Sequence, residues 1–253
     1  MERIAEYARK MNIPLDDRQT ALFVRYGELL LEYNKVMNLT AITEPGDVAL
    51  KHFADSIAVL PLLAKALGSR RTDVRLVDVG TGAGFPGIPL KIVAGDLDVT
   101  LIDSLRKRIG FLETVCTELG LDGVKTVHAR AEDAGNDRNL RERFDVAIAR
   151  AVAPMPILCE YCLPLVKVGG FFAAMKSDVR DDLAMAEYAI GRLGGAVEEF
   201  VEYRLPDSDL YRTLVIVRKK RPTPAEFPRK AGKPEKEPLH PKTPRPPEKE
   251  GKP

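Results

Sequence analysis

Residues 75–90 read RLVDVGTGAGFPGIPL, an apolar run that ends in Gly80, Gly82, Gly84 and Gly87, with Pro86 and Pro89 among them. Glycines at this density remove side chains so that backbone can approach a ligand or another segment closely. Two ligands compete for such a loop. Gly82, Gly84 and Gly87 spell the GxGxxG dinucleotide fingerprint, and Asp103 stands at about the distance of its ribose-binding acid. Three features oppose that reading. Counted from Gly80 the pattern is DxGxGxG, Asp78 puts a carboxylate inside the strand, and both prolines lack the N–H donors that hold a pyrophosphate at a helix terminus. A positively charged, phosphate-free cofactor fits this set better.

The elements around the loop must place it at a sheet edge. VRLVDVG and DVTLID are short β-branched runs with a helical segment between them, and VKTVHA, FDVAIARA and GGFFAAMK continue the series. Strand alternating with helix implies a parallel sheet covered on both faces, with ligands at the strands' C-terminal ends. Ser104 is positioned to cap the helix carrying Leu105, Ile109, Leu112, Cys116 and Leu119. AVEEFVEYRL and TLVIVRKK are separated only by PDSDLYR, too short for a helical crossover, so they should pair antiparallel. Residues 1–70 read as a helical extension: Asp16 and Gln19 resemble a capping box, Leu22, Tyr26, Leu29, Leu30, Tyr33, Val36 and Met37 mark one face, and another helix is expected from Val48 to Leu67. The expectation is an α/β fold with a seven-stranded, mostly parallel sheet over 71–218, an antiparallel C-terminal hairpin, and a tail over 219–253.

Composition narrows the class. The 253 residues are 45% hydrophobic and 30% charged, with no apolar run long enough to span a bilayer and no secretory signal in MERIAEYARK, so a soluble cytoplasmic protein is expected. Cys159 and Cys162 form a CxxC without a second pair or a nearby histidine, which favours packing over zinc, and no metal site is expected. The net charge of +2 conceals a split: residues 219–253 hold 11 Lys/Arg against 5 Asp/Glu, so the body is mildly acidic. That tail has ten prolines and few apolar residues, and is expected to be flexible. Arg229, Lys230, Lys233 and Lys236, spaced by prolines, could follow a phosphate backbone.

The glycine loop resembles motif I of the Rossmann-like class I S-adenosylmethionine (SAM) methyltransferases. The resemblance implies that Asp78 meets the ammonium of the methionine moiety, that Gly80, Gly82 and Phe85 border methionine and ribose, and that Asp103 accepts from the ribose hydroxyls. Ala131 and Glu132, in RAED after the third strand, would flank the adenine. After the fourth strand, AIARAVAPMP offers neither an NPPY-like grip on an exocyclic amine nor a Pro-Cys nucleophile. An acceptor that is already nucleophilic needs neither, and guanine N7, with an in-plane lone pair and no proton to lose, is one.

YNKVMNLTAI, KHFADS, DVGTGAGFPGIPL, LIDSLRKRIGFL, ARAVA and MKS, in this order, resemble the GidB family, also called RsmG. The resemblance implies SAM-dependent methylation of N7 of a guanine in 16S ribosomal RNA, position 527 of that RNA, within the small subunit or an assembly intermediate and with no obligate protein partner. Lys51 and Ser177 stand where the family often has Arg and Gly. Catalysis is expected to rest on positioning, with Arg150 contacting cofactor or target guanine and Lys51, His52 and Lys176 as further substrate contacts. Arg106, Lys107 and Arg108 read as a solvated face. The competing functions are an NAD(P)-dependent oxidoreductase and a catalytically silent ribosome-binding module.

Overall fold

A computed structural model describes residues 1, 3–68, 73–177 and 180–241. The N-terminal extension holds α1 (Arg3–Lys10), α2 (Asp17–Met37), α3 (Pro45–Val48), a π-helical stretch (Ala49–Ala54), α4 (Asp55–Ile57) and α5 (Leu60–Leu67). Asp16 and Gln19 form the expected capping box on α2, satisfying two donors that the first helical turn cannot pair internally. The helix expected from Val48 to Leu67 is instead broken. The wider π-helical stretch carries Lys51 and His52, and Pro61, in the first turn of α5, fits where a helix starts rather than continues.

The sheet comprises β1 (Arg75–Val79), β2 (Asp98–Asp103), β3 (Val124–His128), β4 (Phe144–Arg150), β5 (Val166–Lys176), β6 (Gly195–Arg204) and β7 (Tyr211–Lys219). Between them lie α6 (Gly87–Val93), α7 (Arg106–Glu118), α8 (Ala131–Asn136), α9 (Met155–Cys162), a short 3-10 turn (Leu163–Leu165) and α10 (Arg180–Arg192), with α11 (Lys233–Lys236) last. The order is β3-β2-β1-β4-β5-β7-β6, parallel through β5. β7 inserts antiparallel between β5 and β6, which leaves β6 at the edge, where Glu198, Glu199 and Glu202 discourage pairing with another strand.

Alternation along the strands divides the core. Leu76 and Val146 pack with the N-terminal helices and α7 on one face, while Val77, Val79 and Ala147 pack with α8, α9 and α10 on the other. Cys159 and Cys162 are buried in the second cluster. Ser104 does not cap α7. The N-cap position falls at Leu105, whose N–H is taken by Asp103 Oδ1 at 2.8 Å.

The segment after β7 departs most from expectation. Over the described residues to Pro241 it crosses the body as a strap rather than leaving it. Phe227 is buried in the second core cluster, and the Arg141 guanidinium donates to the carbonyls of Thr223 and Phe227 at 2.8 and 2.7 Å. Lys219 is fully buried, donating to Leu163 O and Thr223 Oγ1, and burial pushes its ammonium down to about 8. Arg229 forks onto the buried Glu160, with contacts of 2.9 and 2.7 Å. Proline-rich sequence builds no core of its own, but one aromatic and two satisfied cations suffice to lay it over a core that exists already. Residues 242–253 lie outside the described residues.

Replacing Arg229 with Ala strands the Glu160 carboxylate without a counter-ion, and is expected to cost about 3 kcal/mol in urea unfolding. An unchanged midpoint and slope would mean that the strap contributes nothing to stability.

Candidate active site

The glycine loop joins β1 to α6 and is held from below. Asp78 is fully buried; its Oδ2 accepts from Thr81 Oγ1 at 2.7 Å and from Gly87 N at 2.8 Å, while Oδ1 has no partner. Burial pushes the Asp78 carboxyl up to about 6, against the pull of these two hydrogen bonds. A Cβ on Gly87 would come within 2.9 Å of Asp78 Oδ2 and 2.5 Å of Leu101, so glycine here serves packing beneath the loop. Gly80 is different: φ is +69°, and a Cβ would meet Val152 at 2.8 Å.

The loop's amides are largely spent on the protein. Gly80 and Thr81 donate to Ile102 O, Gly82 to Asp103 Oδ2, and Gly84 and Phe85 to Thr81 O. At the start of α6, Gly87 gives its N–H to Asp78, Ile88 to Gly84 O and Leu90 to Pro86 O, while Pro86 and Pro89 have none. A pyrophosphate therefore finds no free donor in this turn, and the dinucleotide reading loses its anion site.

A cleft of about 270 Å³ crosses the C-terminal ends of β1, β2, β3 and β4. Gly80, Asp103, Ala131 and Glu132 line it. Arg108 and Arg130 line it too, as do Tyr161 and Glu235 from beyond the sheet edge. Asp78, Gly82 and Phe85 are absent from this wall: Asp78 and Gly82 organise the loop, and Phe85 is buried against Tyr26 and His52. Asp103 Oδ2 accepts from Gly82 N at 3.0 Å and from Arg108 at 3.3 Å, so Arg108 belongs to the site rather than to a solvated face. A carboxylate offers about four lone-pair positions, which leaves Asp103 room for a hydroxyl donor. The side-chain-free approach at Gly80 and three carboxylates, Asp103, Glu132 and Glu235, set against Arg108 and Arg130, suit a cationic cofactor with a ribose.

A second cleft, of about 410 Å³, adjoins the first through Ala151, which lines both. Lys51, His52, Asp55, Arg150, Lys176, Ser177 and Arg212 surround it. Arg150 thus belongs to this cleft and not to the cofactor wall. Its guanidinium donates to Asp55 Oδ2 at 2.9 Å and to Lys51 O at 3.2 Å, and lies 5.2 Å from the Phe85 ring centroid. Arg212 donates to the other Asp55 oxygen at 3.1 Å. Lys51 pairs with Asp47, and Lys176 donates to Ala153 O.

His52 stacks on Phe85 with centroids 4.5 Å apart. Its Nδ1 accepts from Arg150 at 3.2 Å, so Nε2 carries the proton and donates to Thr40 Oγ1 at 2.8 Å. Burial and the Arg150 charge push its pKa down to about 3. His52 is a neutral stacking ring, not a cation facing RNA. Among the basic candidates of the tail, Arg229 is committed to Glu160, and Lys230, Lys233 and Lys236 are exposed. Sequence reasoning missed Arg212, Tyr161 and Glu235. Arg212 opens β7 beside Lys176, a neighbour relation that only the strand order creates; the other two reach the site across the fold.

This fold and cleft define a Rossmann-like SAM-dependent methyltransferase. TrmN from Thermus thermophilus has a similar fold, with a TM-score of 0.50 and 17% identity over 68% of this chain and 53% of that one. The chain belongs to the GidB family, rRNA small subunit methyltransferase G, whose model matches residues 19–210. It is 47% identical over 236 residues to ribosomal RNA small subunit methyltransferase G of Acetivibrio thermocellus, covering 93% of this chain and 95% of that protein. The same-named protein of Lactobacillus johnsonii is 48% identical over 239 residues, covering 94% and 99%.

Asp103→Ala is expected to weaken S-adenosylhomocysteine binding by about tenfold or more in calorimetric titration, the loss of one or two charge-assisted hydrogen bonds. Unchanged affinity would remove Asp103 from the site. The His52 shift has a definite sign: its free pKa is 6.5 and its folded pKa about 3, so its contribution to stability is fully present above 6.5 and is lost as pH falls toward 3. Its ring Cε1–H resonance should stay fixed between about pH 8 and 5; a midpoint near the free value would contradict the buried neutral ring.

Proposed function

We propose that this methyltransferase transfers the methyl group of SAM to N7 of a guanine in 16S ribosomal RNA, within the small subunit or an assembly intermediate in the cytoplasm. The observation that carries the reading is the second cleft, where among the described residues Asp55 and His52, the groups that could take a proton, are both engaged by the protein. Both oxygens of Asp55 are held by Arg150 and Arg212, and both ring nitrogens of His52 are engaged. An acceptor that must lose a proton would have to compete with Arg150 and Arg212 for Asp55, whereas guanine N7 presents a lone pair and needs no base. The cleft also sets Lys51, Arg150, Lys176 and Arg212 against one carboxylate, which favours an anionic substrate. Membership of the GidB family and the names of its relatives support small-subunit ribosomal RNA as that substrate.

Bound SAM would supply the electrophilic methyl. The chain supplies alignment. Asp103 and the loop at Gly80 hold the cofactor side, the Ala151 turn separates donor from acceptor, and Arg150 offers N–H donors suited to the O6 edge of guanine or to a phosphate. Its direction is set beforehand by Asp55 and Phe85, so little ordering remains at the moment of transfer. Lys51 and Lys176 contribute further substrate contacts. Lys230, Lys233 and Lys236 face outward from the strap and could track the RNA backbone, weakening binding as salt rises. Among the described residues no helix is long and apolar enough to cross a membrane.

Incubation with methyl-labelled SAM and small subunits from a strain lacking the modification should place label on guanine N7. Arg150→Ala should cut transfer by about 100-fold, on the order of 2.7 kcal/mol, while leaving S-adenosylhomocysteine affinity within about threefold. Label on another atom, or equal loss of cofactor binding, would overturn the assignment.

A further inference from the structure

The strap passes over the end of the first cleft where Ala131 and Glu132 lie. Glu132 is buried, and its Oε1 accepts the Gly232 N–H at 2.7 Å. Three residues on, Glu235 projects to the cleft wall, where its Oε1 accepts from the Tyr161 hydroxyl at 3.2 Å. Upstream, the Arg229 fork onto the buried Glu160 and the backbone N–H of Arg229 on the same carboxylate, at 2.8 Å, fix where the strap crosses α9. Three independent anchors therefore hold one exposed carboxylate at the cofactor cleft, although it is separated by more than 130 residues from the nearest glycine of the loop.

We propose that Glu235 is a specificity-determining residue of the cofactor site, closing the adenine end and accepting a hydrogen bond from the exocyclic 6-amino group. The inference rests on the SAM reading of the first cleft and adds a ligand contact from outside the sheet. The order of groups along the cleft supports it: Gly80 and Val152 follow β1 and β4, Asp103 ends β2 and suits the ribose, Ala131 and Glu132 follow β3, and the strap that bonds to Glu132 through Gly232 brings Glu235 to the same wall. A carboxylate accepts hydrogen bonds and cannot donate when ionised, so at this end it favours an amino group and opposes a carbonyl. Tyr161 orients it, occupying one oxygen and leaving the other available to the base. The outer face of the same short helix carries Lys233 and Lys236, so the strap turns an acid toward the cofactor while its lysines face solvent.

The test compares S-adenosylhomocysteine with S-inosylhomocysteine, which differs by a carbonyl in place of the 6-amino group, in calorimetric titrations of the full chain. The wild-type protein should prefer the adenine compound. Glu235→Gln should lower that preference by about tenfold while keeping S-adenosylhomocysteine affinity within about threefold, because the amide can turn to donate to the carbonyl. Glu235→Ala should weaken S-adenosylhomocysteine binding by about tenfold; Glu235 is exposed, so neither change threatens the fold. A preference unchanged in both variants would overturn the role of Glu235 and leave the cofactor assignment standing. Failure of the wild-type protein to bind S-adenosylhomocysteine at all would overturn the cofactor assignment and this proposal with it.

Discussion

The buried carboxylate of Asp55 is the point on which the site depends. It belongs to the N-terminal extension, yet its two oxygens hold Arg150 from β4 and Arg212 from β7. An unpaired charge in such a place would be costly, and two guanidinium groups on one carboxylate remove that cost only while all three elements are docked. The extension is thereby part of the second cleft, and the π-helical stretch just before Asp55 turns the Lys51 carbonyl toward the same guanidinium. Phe85 carries this arrangement to the glycine loop, lying under Arg150 and against His52.

From that constraint follows a division of charge. The first cleft sets Asp103, Glu132 and Glu235 against Arg108 and Arg130 beside a loop whose amides are largely used; the second sets Lys51, Arg150, Lys176 and Arg212 against Asp55. The two clefts meet at Ala151, which adopts a left-handed conformation with φ of +54°. In the proposed reaction binding energy is spent on alignment, so the rate depends on how rigidly two ligands are held.

The strap extends the same logic to the far side of the sheet. A segment too poor in apolar residues to fold alone is ordered by Phe227 in an existing core and by Arg229 on a buried glutamate. Its basic character suggests nucleic acid, but among its described residues Arg229 is forked onto an internal glutamate, while Lys230, Lys233 and Lys236 are exposed.

Motif by motif, the sequence determined the class. The strand and helix periods, the DxGxGxG loop and Asp103 are local signals, because strand alternation, glycine conformations and an acid at a strand end are all set by neighbours in the chain. The same signals identified the α2 capping box and the antiparallel final hairpin. Tertiary structure decided everything that required distant residues to meet. It sent Arg150 to the acceptor side, made His52 neutral by burying it beside that arginine, turned Asp78 inward beneath the loop, and brought Arg212 and Glu235 to the two clefts. No local pattern encodes these, since burial and charge pairing are properties of the packed chain, and a side chain's chemistry is fixed only when its surroundings are.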